Sequence, residues 1–309
     1  MKIFHSIETF RTQQKTVVTI GTFDGVHIGH QKIIEKLLDN AKNTNYKSVI
    51  LTFFPHPRMV LQEHSEIKLL NTIHERAELL VQTGLDNLII HPFDKKFSRL
   101  TAEEFVKNIL VDQLKINKIV IGYDHRFGRN RTANIEDLII FGRKYDFEVE
   151  QISAQEIEEV SISSTKIRNA LQDGDVVLAN AYLGYPYYLS GIVKEGKQLG
   201  RTIGFPTANL MIEENYKLIP KNGVYIVKSL LHNKTVYGIM NIGINPTVNG
   251  NKQSIEVYYL DFDLNLYNQN IKISILKYIR AEEKFDCLAL LQQQLEKDKA
   301  IALAFINKL

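Results

Sequence analysis

The feature that most constrains this chain is a change of rhythm near residue 184. Before it, apolar runs short enough for strands alternate with stretches of helical periodicity. The strand-like runs fall at 16–22, 48–54, 87–91, 118–122 and near 147–152. Between the first two, Ile33, Ile34, Leu37, Leu38 and Ala41 repeat at helical spacing. The run SVILTFF has little alternation, as a parallel strand buried on both faces requires. Thr72 with Glu75, and Thr101 with Glu104, have capping-box spacing, and a further helix is expected over 134–145. Repeated strand–helix alternation predicts a doubly wound parallel sheet.

Two short helices, 165–171 and 175–183, lead into Gly184-Tyr185-Pro186. Beyond them strands follow one another. The segments 223–231 and 236–243 flank a turn at His232-Asn233-Lys234, and Ile271, Ile273 and Ile275 alternate with polar residues. One helix closes the chain, with Asp286 as its expected cap and Leu288, Leu291, Leu295 and Ala302 on one face. Successive strands with one terminal helix predict a small antiparallel β-barrel. The expected domains are 1–184 and 185–309.

Composition narrows the partners. The formal net charge is +3, from 38 basic and 35 acidic residues, too small a bias to imply nucleic acid or membrane as a partner. Cys287 is the single cysteine, so no internal disulfide can form, and a reducing, cytoplasmic compartment is expected. The first residues lack a secretory signal pattern, and no apolar stretch approaches the ~18 residues of a membrane span.

The strongest local motif is GTFDGVHIGHQ, 21–31, at the end of a predicted strand and the start of a helix. In a doubly wound sheet nucleotides bind at such carboxyl ends, and a helix N-terminus suits phosphate. His27 and His30 can face one phosphate across the first turn, with Gly29 leaving room for a base. That arrangement fits attack on an α-phosphate with pyrophosphate leaving, where positioning and charge neutralisation do the work. The plain alternative is two histidines in a turn. Farther on, Ser163, Ser164 and Thr165 precede a helix bearing Lys166 and Arg168, a polyanion site or an ordinary cap.

In the second half, Gly196, Gly200 and Gly204 recur with Lys197 and Arg201 between them, a phosphate loop or a surface loop. In an extended chain Thr207 and Asn209 share a face and present two neutral oxygens, which suits Mg²⁺ completed by water and phosphates. Glu256 lies opposite in phase to Ile255 and Val257. By pattern it is an exposed glutamate, but a kinase for a primary alcohol needs a carboxylate to deprotonate the hydroxyl.

GTFDGVHIGHQ, FFPHP (53–57), GYDHRFGRNR (122–131) and ISSTKIRNAL (162–171) resemble, in order and spacing, the adenylyltransferase half of the bacterial bifunctional riboflavin kinase/FAD synthetases. GRTIGFPTANL, NGVYIV, YGIMNIGINPTVNG, IEVYYLDF and YIRAEEKF are similar to their riboflavin kinase domains. The resemblance implies a cytoplasmic enzyme that phosphorylates riboflavin to FMN and adenylylates FMN to FAD, with ATP and Mg²⁺. It implies ATP held in the first domain by Gly21, Phe23, Asp24, His27, Gly29, His30, Ser163, Thr165 and Arg168, with His27 and His30 catalytic. Flavin would lie near Phe54, His56, Asp124 and Phe127. In the second domain it implies Gly196, Lys197, Gly204, Thr207 and Asn209 at ATP and Thr207 and Asn209 at Mg²⁺. Glu256 would be the base for the ribityl 5′-hydroxyl, and Arg280 would close the riboflavin site. The sequence departs from the usual family residues at Phe54, His125, Asn130, Ala133 and Tyr258. Three rivals stay open: a monofunctional enzyme with one domain reduced to binding, a non-catalytic flavin or nucleotide sensor, and an RNA-binding protein. Homo-oligomerisation is not fixed by any of these residues.

Overall fold

A computed structural model describes residues 1–62, 65–122, 126–153, 162–196, 200, 203–247, 250–262 and 264–309. The candidate residues Asp124 and Lys197, together with His125 and Arg201, lie outside the described residues. The chain divides into two compact units, Met1–Ser164 and Thr165–Leu309.

The first unit is a six-stranded sheet in the order β1-β4-β3-β2-β5-β6. The strands are β1 (Lys2–Phe4), β2 (Thr16–Ile20), β3 (Lys47–Phe53), β4 (Asn87–His91), β5 (Ile116–Gly122) and β6 (Glu148–Ile152). Every pairing is parallel, as the strand–helix alternation predicts. The edge strand β1, too short to carry a periodic signal, is the one strand that the hydrophobic pattern did not announce. Side-chain alternation splits the strands between two cores. Val18, Val49, Leu51 and Ile119 face one, and Val17, Ile50, Leu88 and Val120 face the other. Helix α1 (Ile28–Thr44) covers the second core with Ile34, Leu37 and Ala41.

Helix α2 (Pro57–Leu61) follows β3, and α3 (Ile73–Val81) starts at a complete capping box formed by Thr72 and Glu75. Thr101 and Glu104 form a second box. That helix departs from expectation. After α4 (Ala102–Glu104), residues Phe105–Gln113 run as a π-helix, with the Leu114 amide donating to the Ile109 carbonyl at 2.8 Å. Its wider turn puts Phe105, Val106, Ile109 and Leu110 into the core together. Helix α5 (Ile135–Tyr145) is capped by Asn134. The strand order turns back at β2, which lies between β3 and β5. The loop leaving the carboxyl end of β2 therefore lies at the switch point of the sheet, where such folds bind ligands.

The second unit is a closed barrel of six strands in the order β10-β11-β8-β7-β12-β9. They are β7 (Tyr188–Lys194), β8 (Ala208–Met211), β9 (Gly223–Leu231), β10 (Lys234–Thr247), β11 (Gly250–Tyr259) and β12 (Asn270–Arg280). All pairings are antiparallel. His232 and Asn233 take left-handed φ of 48° and 62°, the tight two-residue turn that a twisted hairpin favours. Helix α6 (Ser164–Asp173) and helix α7 (Val176–Leu183) precede the barrel. Asp175 caps α7 and Gly184 ends it with φ of 79°. Asn180 fixes α7 to the barrel, donating to the Ile275 carbonyl at 2.9 Å and accepting from the Tyr187 amide at 2.7 Å.

The terminal helix α8 (Leu288–Ile306) covers an outer barrel face, with Ala302 packed against Val224, Ile226 and Ile239. Its start differs from expectation: Cys287, not Asp286, stands at the cap position. Leu288 is exposed, while Asp298 is fully buried. The reason is an ion pair, for Asp298 receives Arg280 through Nε (3.0 Å) and Nη2 (2.7 Å). No helix among the described residues is long and apolar enough to cross a membrane.

Candidate active sites

In the first unit the 21–31 loop joins β2 to α1. Its backbone is unusual: Phe23, Gly25 and Val26 all take positive φ, at 47°, 89° and 38°. For a β-branched residue such as Val26 this is a genuine outlier. The turn brings His27 to the cap position of α1 and His30 into its first turn. Their rings stack, with centroids 3.7 Å apart and planes at 21°. Phe23 lies 5.0 Å from His30 on a tilted plane. His30 is half-buried, and its Nδ1 is buried without a hydrogen-bond partner among the described residues. Burial, then the neighbouring His27 and Arg76, hold the His30 imidazolium well below the usual histidine range. Imidazole N–H groups at a helix N-terminus can donate to an oxyanion. Gly29 is buried in that first turn. Gly21 approaches the Phe23 ring, with space for a Cβ only 3.1 Å from it.

Asp24 faces inward instead. Its carboxylate accepts the amides of Leu70 (3.1 Å) and Asn71 (3.2 Å), and Arg76 Nη2 stands 3.7 Å away. Ser164 Oγ donates to the Asp24 carbonyl at 2.9 Å. That bond ties the end of the first unit to the loop. Ser163 precedes α6, while Thr165 and Arg168 lie within it and belong to the second unit.

Of the flavin candidates, His56 caps α2, its Nδ1 accepting the Arg58 amide at 3.2 Å. Phe54 follows β3 and donates its amide to the His91 carbonyl at 3.1 Å. Phe127 is buried in the core, bridged to Ala133 and 6.1 Å from the Phe105 ring.

In the barrel unit the register brings distant residues together. Asn209 on β8 and Asn241 on β10 both lie directly opposite Glu256 on β11. Paired residues share a face, so the three form one row across adjacent strands. Thr207, just before β8, donates its hydroxyl to Glu256 Oε2 at 3.3 Å. Gly196 permits the loop after β7 to close on this row, since a Cβ there would stand 2.2 Å from Asn209 Nδ2. Gly204 takes a left-handed φ of +84°. Tyr258 packs on Phe205 at 4.9 Å. Arg280 is turned to α8 by its bond to Asp298.

Sequence reasoning missed Asn241, Asp298, Asn71 and Arg76. Two of them had a signal. Arg76 falls on the apolar face of α3 with Ala77 and Leu80, and Asp298 lies four residues before buried Ala302. A charge on a buried face marks a partner. Asn241 had none, because cross-strand register is not written in local pattern.

The comparisons with known proteins come from both halves. A family model described as FAD synthetase matches residues 9–166, and one described as riboflavin kinase matches residues 183–306. Proteins named bifunctional riboflavin kinase/FMN adenylyltransferase are similar over almost the whole chain. The Buchnera aphidicola (Schizaphis graminum) protein is 38% identical, covering 99% of each chain. The Listeria monocytogenes protein is 39% identical, covering 99% of this chain and 98% of its own, and that of Escherichia coli K12 is 35% identical with the same coverage. A crystal structure reported as a macrolide-efflux protein from Streptococcus pneumoniae superposes with a TM-score of 0.89 at 31% identity. It covers 97% of this chain and 98% of that one.

Proposed function

The chain belongs to the bifunctional riboflavin kinase/FMN adenylyltransferase family, and we propose that it makes FMN from riboflavin and ATP, then FAD from FMN and a second ATP. The observation that carries this reading is the presence of two independent sites in one chain matched end to end. One is the stacked His27–His30 pair at the head of α1, and the other is the Asn209–Glu256 row with Thr207. We assign phosphorylation to 185–309 and adenylylation to 1–184. The start of the riboflavin kinase match at residue 183 supports that division.

In the kinase, Glu256 takes the proton of the ribityl 5′-hydroxyl as its oxygen attacks the γ-phosphorus of ATP and ADP leaves. Thr207 holds the Glu256 carboxylate by its hydroxyl. Thr207 and Asn209 offer the hard oxygen donors that Mg²⁺ accepts, and this fits a site where phosphates supply the remaining charge. Mg²⁺ would neutralise the β- and γ-phosphate oxygens there. Gly196, Lys197 and Gly204 would line the ATP phosphates, and Arg280 the flavin side.

In the adenylyltransferase, a phosphate oxygen of FMN attacks the α-phosphorus of ATP and pyrophosphate leaves, so no protein nucleophile is needed. His27 and His30 donate to the growing charge. The rest of the ATP cradle is Gly21, Phe23, Asp24 and Gly29, with Ser163, Thr165 and Arg168 for the outer phosphates. Phe54, His56, Asp124 and Phe127 are assigned to flavin. The absence of any possible internal disulfide supports a cytoplasmic setting.

Two variants test the assignment. Glu256→Gln should lower riboflavin phosphorylation by about 10²–10⁴-fold while supplied FMN is still converted to FAD. His27→Ala should do the reverse. Loss of both steps in either variant would sink the two-site reading.

A further inference from the structure

The 21–31 turn keeps a costly backbone shape. Three of its residues, Phe23, Gly25 and Val26, have left-handed φ. Such backbone persists only where its surroundings over-determine it. The surroundings converge on Asp24, which is 1% exposed and sits in the middle of the three. Its two carboxylate oxygens take the amides of Leu70 and Asn71, at the chain entering α3. The capping box of Thr72 and Glu75 fixes that entry, with bonds of 2.9 and 3.1 Å. One residue later Arg76, 0% exposed, brings its guanidinium to 3.7 Å from the same carboxylate. Their opposite charges stand close enough to offset part of the cost of withdrawing both from water.

We propose that Arg76 is a positioning residue for FMN adenylylation: its buried guanidinium holds Asp24, and through Asp24 the strained turn that sets His27 and His30 at the head of α1. The inference rests on the reading that this unit adenylylates FMN. Arg76 and the two amides all meet the one carboxylate of Asp24, at 3.7, 3.1 and 3.2 Å. The same guanidinium also disfavours protonation of His30.

The test compares full-length wild type, Arg76→Gln and Arg76→Lys in both half-reactions, with amide hydrogen exchange followed over residues 21–31. Arg76→Gln should lower kcat for FMN adenylylation about 100-fold, the scale of a small misplacement of catalytic groups. KM for FMN and riboflavin phosphorylation by the same chain should stay unchanged, while exchange over 21–31 quickens. Arg76→Lys, which keeps the charge beside Asp24, should restore most of the rate. Wild-type kcat and exchange in Arg76→Gln would overturn the proposal, as would a loss confined to KM. Should Arg76→Gln not fold, Arg76→Met, which keeps the length of the side chain without its charge, carries the test, with the same slowed adenylylation and quickened exchange expected and wild-type behaviour overturning it. A wild type that makes no FAD would defeat the functional reading instead. The exchange comparison would then still decide whether Arg76 braces the turn.

Discussion

Protonating His30 means placing a charge where its Nδ1 has no partner among the described residues, beside a stacked His27 and near Arg76. Burial is the largest cause of its depressed pKa, and the unfolded chain, free of all three effects, titrates near 6.5. Below that pH the unfolded state binds a proton that the folded state refuses, so stability falls as the solution is acidified. Above it the contribution is complete and flat. His91 is depressed in the same direction, chiefly by burial, and adds to the slope. The melting temperature of the wild-type chain should therefore fall between about pH 6.5 and 5.5, and His30→Gln should remove part of that fall. An identical pH slope in both chains would contradict the burial account. The same preference for a neutral His30 suits a ring stacked 3.7 Å from His27.

At the scale of elements, Arg280, the residue assigned to the flavin side, also anchors the last helix to the barrel. Arg280 at the end of β12 gives Nε and Nη2 to Asp298 of α8, and Gln294 adds an amide to the same carboxylate at 3.0 Å. Asp298→Ala would leave the guanidinium partly buried and unmatched. The cost should be about 3 kcal/mol, the lower end for a buried pair because Arg280 keeps some contact with water. Denaturant melts of the second unit would measure it, and a change below about 0.5 kcal/mol would show that α8 is held by its apolar face alone. Gly191→Ala should act at another seam, because a Cβ there would stand 2.3 Å from the Met211 carbonyl oxygen and force β7 and β8 apart. Kinase activity should fall with the melting temperature in that variant, since β8 carries Asn209. Much of this architecture was legible. Both capping boxes, the helical face of α1 and the hairpin at His232-Asn233 follow from spacing and turn chemistry. The HxGH pair was legible too, because its two members lie in one turn. What could not be read was anything set by register or by long-range burial. Asn209 and Glu256 were grouped only through the family resemblance and Asn241 not at all, because the three come from three strands and the hydrogen-bond ladder makes them neighbours. The face of α8 was misjudged at Leu288 for a related reason. Hydrophobic period alone does not reveal that an aspartate takes the buried place when an arginine waits there.

For the molecule as a whole, the central claim is that one chain holds two separate catalytic centres that act in sequence on a flavin. Each centre is built within its own kind of scaffold. A parallel sheet presents a loop and a helix N-terminus at its carboxyl edge, and a closed barrel lines up polar side chains along its strands. These supply different chemistry. In the proposed function the first would hold an anion that sheds pyrophosphate, and the second would set a carboxylate where a hydroxyl loses its proton. The measurement that tests this most directly is a time course of products from purified full-length protein with riboflavin, ATP and Mg²⁺, separated by chromatography. The account predicts that FMN appears first and FAD follows at its expense, with ADP and pyrophosphate as the other products. FMN that accumulates without FAD, or supplied FMN converted to FAD by a chain that cannot phosphorylate riboflavin, would contradict it.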